Sequence, residues 1–183
     1  MRWSDVSELT PEVLKFLRDA IMKKKSPLGI SLKTCSTWCR KKEPNSTILY
    51  SGCLYTTMNI VHKIEFISGL LLSDPTKELR IKLLKKTLSL SKIFLSMFAK
   101  GELTDVPRKA MEILNHFGYD VGCLPEEPYN GALLYDLGFF DELREYGAYL
   151  RDFFKEKGAK RIITIDPHTY DLFTNVYAKE VTG

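Results

Sequence analysis

The chain has 183 residues, of which 44% are hydrophobic and 27% are charged, so it is long and apolar enough to form one globular core without staples. Its net charge of +4 is mild, its short basic runs have no aromatic platform beside them, and its apolar stretches are broken well before membrane-spanning length. We therefore predict a cytoplasmic protein that has no transmembrane segment and does not bind nucleic acid. The chain lacks Gln and is rich in Lys and Glu, a compositional bias found in proteins of hyperthermophiles.

Residues 1–45 are predicted to form an N-terminal helical segment. Thr10 followed by Pro11 is typical of a helix start, and apolar residues then recur at helical spacing until a run of Lys residues. Cys35 and Cys39 are one helical turn apart, so a helix would place both sulfurs on one face. This spacing would suit a redox pair or half of a metal site, although nothing nearby in the sequence supplies the other half.

An α/β domain is predicted over residues 46–183, and its first strand is Thr47–Tyr50. The turn that follows contains Cys53, after which residues 54–72 have helical periodicity. Because Cys53 stands where a strand becomes a helix, its thiol would face the loops at the end of the sheet and would lie near a helix N-terminus.

Two more helices are predicted after residues 54–72 and before the second strand. Residues Thr76–Lys100 carry apolar side chains on one side and Lys on the other, a pattern that favours packing of one face on the domain over a membrane-surface or partner helix. Residues 106–117 form the next predicted helix, with Pro107 at its start and Gly118 after its end.

Two more strands are predicted in the second half of the chain, and each ends in a polar loop. Tyr119–Leu124 leads into the loop 125–131, which contains two prolines and adjacent acidic residues. A helix is predicted to follow and to continue over residues 141–157, with an inward face formed by Leu143, Tyr146, Leu150 and Phe153–Phe154. Ile162–Ile165 is the third strand. Asp166 before Pro167 is typical of an N-cap and a first helical position, so a helix is predicted to begin at once.

These elements predict a small parallel sheet flanked by helices, built from three strand–loop–helix units. Right-handed crossovers place the three loops along one edge of such a sheet, which is where ligands bind in parallel α/β proteins. The candidate site residues are therefore polar or reactive residues of the three loops, namely Cys53, Glu127, Asn130, Asp166, His168 and Thr169.

Three kinds of site remain open at this edge. Cys53, Cys123 and His168 have side chains that bind zinc or another divalent metal. Alternatively, Cys53 beside His168 would form an activated thiolate. The third alternative is a polar cluster of loops that has no chemistry of its own.

Three segments carry a further pattern: Gly52–Tyr55, Glu127–Leu133 and Ile163–Tyr170. Together they resemble the cysteine-rich CCG domain that occurs in catalytic subunits of heterodisulfide reductase and in iron–sulfur subunits of glycolate oxidase and lactate-utilisation systems. The resemblance spans roughly residues 47–180. In that family a lone Cys follows the first strand, a Cys-Cys-Gly-x-Pro segment the second, and a Cys-Pro-x-Cys-Tyr segment the third, and these cysteines bind an iron–sulfur cluster.

The cluster ligands of that family are mostly replaced here. Cys53 matches the lone cysteine, whereas Leu124 and Pro125 stand at the first cysteine pair and Asp166 and Thr169 at the second. Because a cluster of the family type needs about four cysteine sulfurs, we expect no cofactor in this domain.

The resemblance implies a structural or docking half of a redox complex, whose partner would be a second CCG-type domain or a redox subunit that carries the cluster. The abrupt end at Gly183 suggests the first half of a longer, two-domain protein. Two alternatives stay open, an interaction module without redox function and a retooled zinc or small-ligand site at Cys53, Glu127, Asp166 and His168. Iron bound by the four cysteines of the chain would contradict the expectation of no cofactor.

Overall fold

The computed structural model describes residues 10–39, 45–71, 99 and 101–180. The predicted helix Thr76–Lys100 lies outside these residues apart from Ala99, and so does the start of the N-terminal segment. Among the helices that are described, none is both long enough and apolar enough to cross a membrane.

Most of the described residues are helical, and two short strands form a parallel sheet, so the predicted mixed α/β class is confirmed. The helices α1 and α2 lie in the predicted N-terminal segment, before the first strand. In chain order the elements are α1 (Thr10–Lys24), α2 (Leu32–Cys35), β1 (Thr47–Leu49), α3 (Leu54–Leu71), α4 (Glu102–His116), α5 (Ala132–Asp136), α6 (Phe140–Glu156), β2 (Arg161–Ile163) and α7 (Pro167–Asp171), which continues as a π-helical turn (Leu172–Tyr177) and α8 (Ala178–Glu180).

Strand β1 has a backbone partner on each side. On one side it pairs in parallel with β2, and Ile48 lies opposite Ile162. On the other side a single parallel bridge joins Ile48 to Gly122. The backbone of Gly122 makes both hydrogen bonds of the bridge, donating to Thr47 O and accepting from Leu49 N, each at 2.9 Å.

The predicted second strand, Tyr119–Leu124, is reduced to this one bridged residue, so the described part of the chain contains two strands and a bridge. The physical reason at one end is Asp120, whose carbonyl accepts a hydrogen bond from the Asn45 side chain at 3.1 Å. In an extended strand, alternate residues face the same neighbour, so the carbonyl of Asp120 would otherwise pair with the backbone of β1. At Asp120 the side-chain amide of Asn45 thus replaces the backbone hydrogen bond of a strand.

The side chains of β1 alternate between two separate hydrophobic clusters. Ile48 and Tyr50 belong to the larger one, here called the large-face cluster, to which α1, α5, α6 and the π-helical turn contribute. Leu49 belongs to the other, here called the small-face cluster, whose buried members are Trp38, Leu49, Met111, Val121 and Cys123. The core of the domain therefore lies on both sides of β1.

Helix α6 supplies much of the large-face cluster. Its buried residues Leu143, Tyr146, Leu150 and Phe154 recur at the helical spacing that predicted an inward face, and that prediction is confirmed. The ring of Tyr50 packs edge-on against Phe154, with 5.1 Å between ring centroids. This packing fixes the end of β1, from which the first loop leaves.

Helix α4 begins one turn earlier than predicted, at Glu102. The hydroxyl of Thr104 accepts a hydrogen bond from Gly101 N at 3.3 Å and donates one to Gly101 O at 2.6 Å, which closes the N-terminus of the helix. Pro107 therefore lies inside the helix rather than at its start.

Candidate functional site at the loop edge

Three loops meet at the carboxyl end of the sheet, here called the loop edge: the turn 51–53 after β1, the loop 125–131 and the turn 164–169 after β2. Glu127 Oε1 accepts hydrogen bonds from the backbone N–H groups of Ser51 and Gly52, the latter at 2.6 Å. Asn130 Nδ2 donates to Thr169 Oγ1 at 2.7 Å. The middle loop thus bonds to both of the others.

Glu127 is fully buried and bonds to a third segment of the chain. Its Oε2 accepts a hydrogen bond from Trp38 Nε1 at 3.2 Å, so one carboxylate holds three buried N–H donors. Burial raises the pKa of Glu127 from its ordinary value of 4.5 to about 7, although the hydrogen bonds from Ser51 and Gly52 lower it. Glu127 can therefore take up or release a proton near neutral pH.

The turn after β1 has a tight left-handed backbone. Gly52 and Cys53 have φ angles of +64° and +62°. A Cβ atom on Gly52 would lie 3.0 Å from Asn130 Cβ, so this position favours glycine for space as well as for conformation. The backbone of Cys53 also lies in this left-handed region, which residues with a side chain rarely adopt. The resulting strain of about 1–2 kcal/mol must be offset by surrounding contacts. The turn presents two consecutive N–H groups to Glu127.

Asp166 caps helix α7, as its position before Pro167 predicted. Its carboxylate accepts hydrogen bonds from His168 N at 3.2 Å and Thr169 N at 2.9 Å. It also accepts from the hydroxyl of Thr169, which in turn accepts from Asn130. The predicted N-cap is confirmed, and it forms the end of a chain of hydrogen bonds between two loops.

His168 lies at the rim of the loop edge. Its Nε2 is 3.5 Å from Asp136 Oδ2 of α5, and the two side chains are 49% and 45% exposed. The pair is charged only when His168 is protonated. The polar contact of His168 is thus with α5, whereas the sequence had suggested Cys53 as its partner.

All four cysteines lie in disulfides. Cys35 is bonded to Cys53, and Cys39 is bonded to Cys123. Cys35 and Cys39, considered above as a pair with each other, are each bonded to a distant cysteine, because α2 ends at Cys35 and the two residues do not share a helix. Cys53 and Cys123, considered above as metal ligands, are likewise in disulfides.

The residues at the loop edge do not fit a cysteine-ligated cluster of the family type. Cys53 is in a disulfide, Leu124 is buried in the large-face cluster, and Asp166 and Thr169 bond to each other. Within the described ranges, no group of three or more His, Cys, Asp or Glu side chains is placed to hold a metal ion.

Three buried tyrosines hold the loop 125–131, and sequence reasoning missed them in this role. Their hydroxyls donate to three successive backbone carbonyls, each at 2.9 Å: Tyr50 to Pro128 O, Tyr146 to Tyr129 O and Tyr177 to Asn130 O. Burial raises the pKa of all three hydroxyls, so they remain protonated donors. In the sequence these tyrosines are apolar members of a strand or helix face, and no local signal marks the carbonyls that they reach.

Comparison with protein-family models, curated proteins and solved structures finds no match to this chain. The loop edge is therefore interpreted from its own chemistry. It contains two carboxylates that accept backbone N–H groups, one buried and one partly exposed, and a chain of amide and hydroxyl hydrogen bonds between loops. This arrangement can fix three loops relative to one another and exchange one proton at Glu127.

Proposed function

We propose that the chain is a CCG-type domain, similar to those of heterodisulfide reductase, that serves as the structural or docking half of a redox complex. Hydrogen bonds replace the iron–sulfur cluster at its loop edge. The observation that carries the proposal is the bonding of Asp166 and Thr169, which stand at the second cysteine pair of the family pattern. Together with Asn130 they join the second loop to the third, as shared cluster ligands would.

The remaining ligand positions support the same interpretation. Cys53, at the lone cysteine, is bonded to Cys35, which lies outside the three segments that carry the resemblance. Leu124, at the first cysteine pair, is 1% exposed and packs in the core. Four of the five positions that would bind iron in the family, Cys53, Leu124, Asp166 and Thr169, thus have other contacts here, and Pro125 is exposed.

A docking role is supported by the rigidity and the surface of this edge. The loop 125–131 is held by buried tyrosine hydroxyls and by Glu127, so a partner that binds there pays little to order it. Beside it, Tyr135 and Phe140 are 40% and 53% exposed with ring centroids 6.1 Å apart, and Tyr170 on α7 is 62% exposed. Aromatic side chains of this kind are enriched at protein interfaces.

The first test is the metal content of protein purified without oxygen and without a metal-affinity column. We expect no stoichiometric iron and no broad absorption at roughly 400 nm, the region of thiolate-bound clusters. Incubation with a dithiol, iron and sulfide should leave this unchanged. Stoichiometric iron in the untreated protein would contradict the proposal.

A restored variant tests the resemblance itself. Leu124→Cys, Pro125→Cys, Asp166→Cys and Thr169→Cys together return the cysteines of the family pattern, and Cys35→Ser is added to free Cys53 from its disulfide. After reconstitution with iron and sulfide we expect a bound cluster in this variant, and its loss when Cys53→Ser is added as the matched control. A restored variant that keeps its helical circular dichroism yet binds no iron would argue against the CCG-type fold.

The docking role is tested by recovery of the tagged chain from cells that produce it naturally. We expect a stoichiometric partner whose sequence contains a complete set of cluster cysteines and whose preparation contains iron. Recovery with a partner that has no cluster would favour the interaction module without redox function, and recovery of the chain alone would contradict the docking role.

A further inference from the structure

Both disulfides fasten the same short segment, residues 31–39, here called the latch segment. Cys35 joins it to the turn after β1, and Cys39 joins it to Cys123. The segment contains only the single helical turn α2, so little of its own backbone structure holds it in place. It is attached to the rest of the chain by these disulfides, by the Trp38 side chain and by a backbone hydrogen bond from Glu127 N to Leu32 O at 3.3 Å.

The two disulfides differ in how a reductant can reach them. Cys35, Cys53 and Cys123 are 0% exposed, whereas Cys39 is partly exposed. Disulfide exchange begins with attack of a thiolate on one sulfur, and attack on a fully buried sulfur needs a local opening of the core. Cys39 is thus the most exposed of the four cysteines, which favours its sulfur as the point of attack.

Trp38 connects this disulfide to the loop edge. It is the residue before Cys39, it is 2% exposed in the small-face cluster, and its Nε1 donates to Glu127. The same cluster contains Cys123. The Cys39–Cys123 bond therefore anchors the chain at the residue directly after Trp38, whose side chain donates a hydrogen bond to Glu127 Oε2.

We propose that the Cys39–Cys123 disulfide is a reversible redox latch that a dithiol opens while Cys35–Cys53 stays closed. A thiolate of the dithiol attacks Cys39 Sγ, the Cys39–Cys123 bond breaks, and Cys123 leaves as a thiolate that takes up a proton. The second thiol of the dithiol then attacks its own partner sulfur in the mixed disulfide, which releases Cys39 as a thiol. Two electrons and two protons pass from the dithiol, which becomes a cyclic disulfide, to the pair.

Opening of the latch changes the loop edge. With Cys39 free, Trp38 is no longer held in the small-face cluster, and Glu127 loses one of its three N–H donors. Cys35 keeps the first half of the latch segment on the turn after β1. The redox state of the surroundings thereby controls access to one side of a buried carboxylate, a property that does not depend on the proposed docking function.

The direct test is timed alkylation of the native wild-type protein with dithiothreitol as the reductant, followed by peptide mass spectrometry. We expect Cys39 and Cys123 to be labelled together, at least about tenfold faster than Cys35 and Cys53, because the latter pair needs an opening of the core. Equal labelling of all four cysteines, faster labelling of Cys35 and Cys53, or no labelling until the protein unfolds would overturn the proposal.

The conformational part is tested by the fluorescence of Trp38. The chain has two tryptophans, so Trp3→Phe leaves Trp38 as the reporter. In that background we expect a shift of emission to longer wavelength when dithiothreitol opens the latch. Labelled Cys39 and Cys123 with unchanged emission would show that the bond holds nothing in place, and would contradict the latch.

Two pairs of substitutions serve as matched controls in the Trp3→Phe background. Cys39→Ser with Cys123→Ser should shift the emission without any reductant. Cys35→Ser with Cys53→Ser should keep the emission of the oxidised protein and should still respond to dithiothreitol. If instead Cys35→Ser with Cys53→Ser shifts the emission without reductant and Cys39→Ser with Cys123→Ser does not, Cys35–Cys53 holds Trp38 in place and the proposal is wrong.

Discussion

Two carboxylates organise the loop edge, and they act over very different distances along the chain. Asp166 accepts hydrogen bonds from the backbone N–H groups of His168 and Thr169, two and three residues further on. Glu127 accepts from those of Ser51 and Gly52, which lie 76 and 75 residues earlier. Asp166 is partly exposed to solvent, whereas Glu127 is fully buried.

The difference separates two jobs that the same functional group performs. A carboxylate that bonds to its own helix sets where that helix begins, and water can replace it when it is lost. A buried carboxylate that bonds to distant loops sets their relative position, and its loss leaves donors that water cannot reach. The contacts of Glu127 should therefore dominate the stability of the loop edge.

The strongest test of this comparison is Glu127→Ala. Three buried N–H donors lose their acceptor, and at about 1–3 kcal/mol for each unsatisfied buried donor we expect a loss of about 4 kcal/mol in the free energy of unfolding. Glu126→Ala is the matched control, because Glu126 is 47% exposed and its partner Lys33 is 80% exposed. That change should stay within about 0.5 kcal/mol. Similar costs in urea unfolding for both variants would break the comparison.

The loop that carries Glu127 should also be sensitive at Gly131. Gly131 has φ +88°, and a Cβ atom there would lie 2.2 Å from the hydroxyl of Tyr177, which bonds to Asn130 O. Strain and the displaced hydroxyl together give an expected cost of about 3 kcal/mol for Gly131→Ala.

Gly138→Ala is the control for that prediction. Gly138 has a similar φ of +78°, but nothing lies within 4 Å of its Cβ position. We expect only the conformational cost, about 1 kcal/mol. If both variants unfold at the same urea concentration, the close approach of Tyr177 contributes nothing.

The sequence predicted what depends on near neighbours. Asp166 before Pro167 marked the start of α7, the spacing of Leu143 and Leu150 marked the inward face of α6, and the β-branched run Ile162–Ile165 located β2. Each of these signals acts within one or two turns of the chain. Local chemistry was sufficient because the partners are close in sequence.

What the sequence did not predict depends on partners brought together by folding. Trp38 bonds to Glu127 across 89 positions, and the pairing of four cysteines has three solutions that no spacing distinguishes. The prediction of the second strand was wrong for a similar reason, since the Asn45 side chain donates a hydrogen bond to the carbonyl of Asp120, 75 positions further along the chain. Glu127 was recognised as a site residue, but its role as an acceptor for distant N–H groups had no local signal.

The pH dependence of stability should distinguish the two carboxylates further. The folded state raises the pKa of Glu127 to about 7 by burial, so its protonated form is favoured by folding. This contribution is fully present below the unfolded pKa of 4.5 and is lost as the pH rises through about 7. We expect a decrease of up to about 3 kcal/mol in the free energy of unfolding between pH 5 and pH 8, measured in urea.

Glu127→Gln isolates that contribution. The amide cannot ionise, so the decrease between pH 5 and pH 8 should be largely absent, while its oxygen can still accept from Ser51 and Gly52. The amide nitrogen would face Trp38 Nε1, so a lower stability at pH 5 is expected as well. A variant with the pH profile of the wild type would assign the titration to another group.

Removal of the local carboxylate should cost less. Asp166→Ala removes the N-cap of α7, which is worth about 1 kcal/mol, because water can reach the freed N–H of the exposed His168 although Thr169 is buried. Asp166→Ser is the control, since its hydroxyl can cap the same helix, and it should restore most of that loss. A cost for Asp166→Ala as large as that for Glu127→Ala would remove the distinction between local and distant carboxylates.

The smallest effect is expected at the rim, for His168→Ala. Its contact with Asp136 joins two half-exposed side chains at 3.5 Å, so the change in unfolding free energy should be below about 0.5 kcal/mol, and Asp136→Asn should match it. Zinc content measured in the same preparations also tests whether His168 binds a metal. A metal-bound histidine contributes much more than an exposed ion pair, because ligand loss typically removes the metal. Unchanged zinc content would agree with a rim ion pair, whereas its loss in His168→Ala would support the retooled site at Cys53, Glu127, Asp166 and His168.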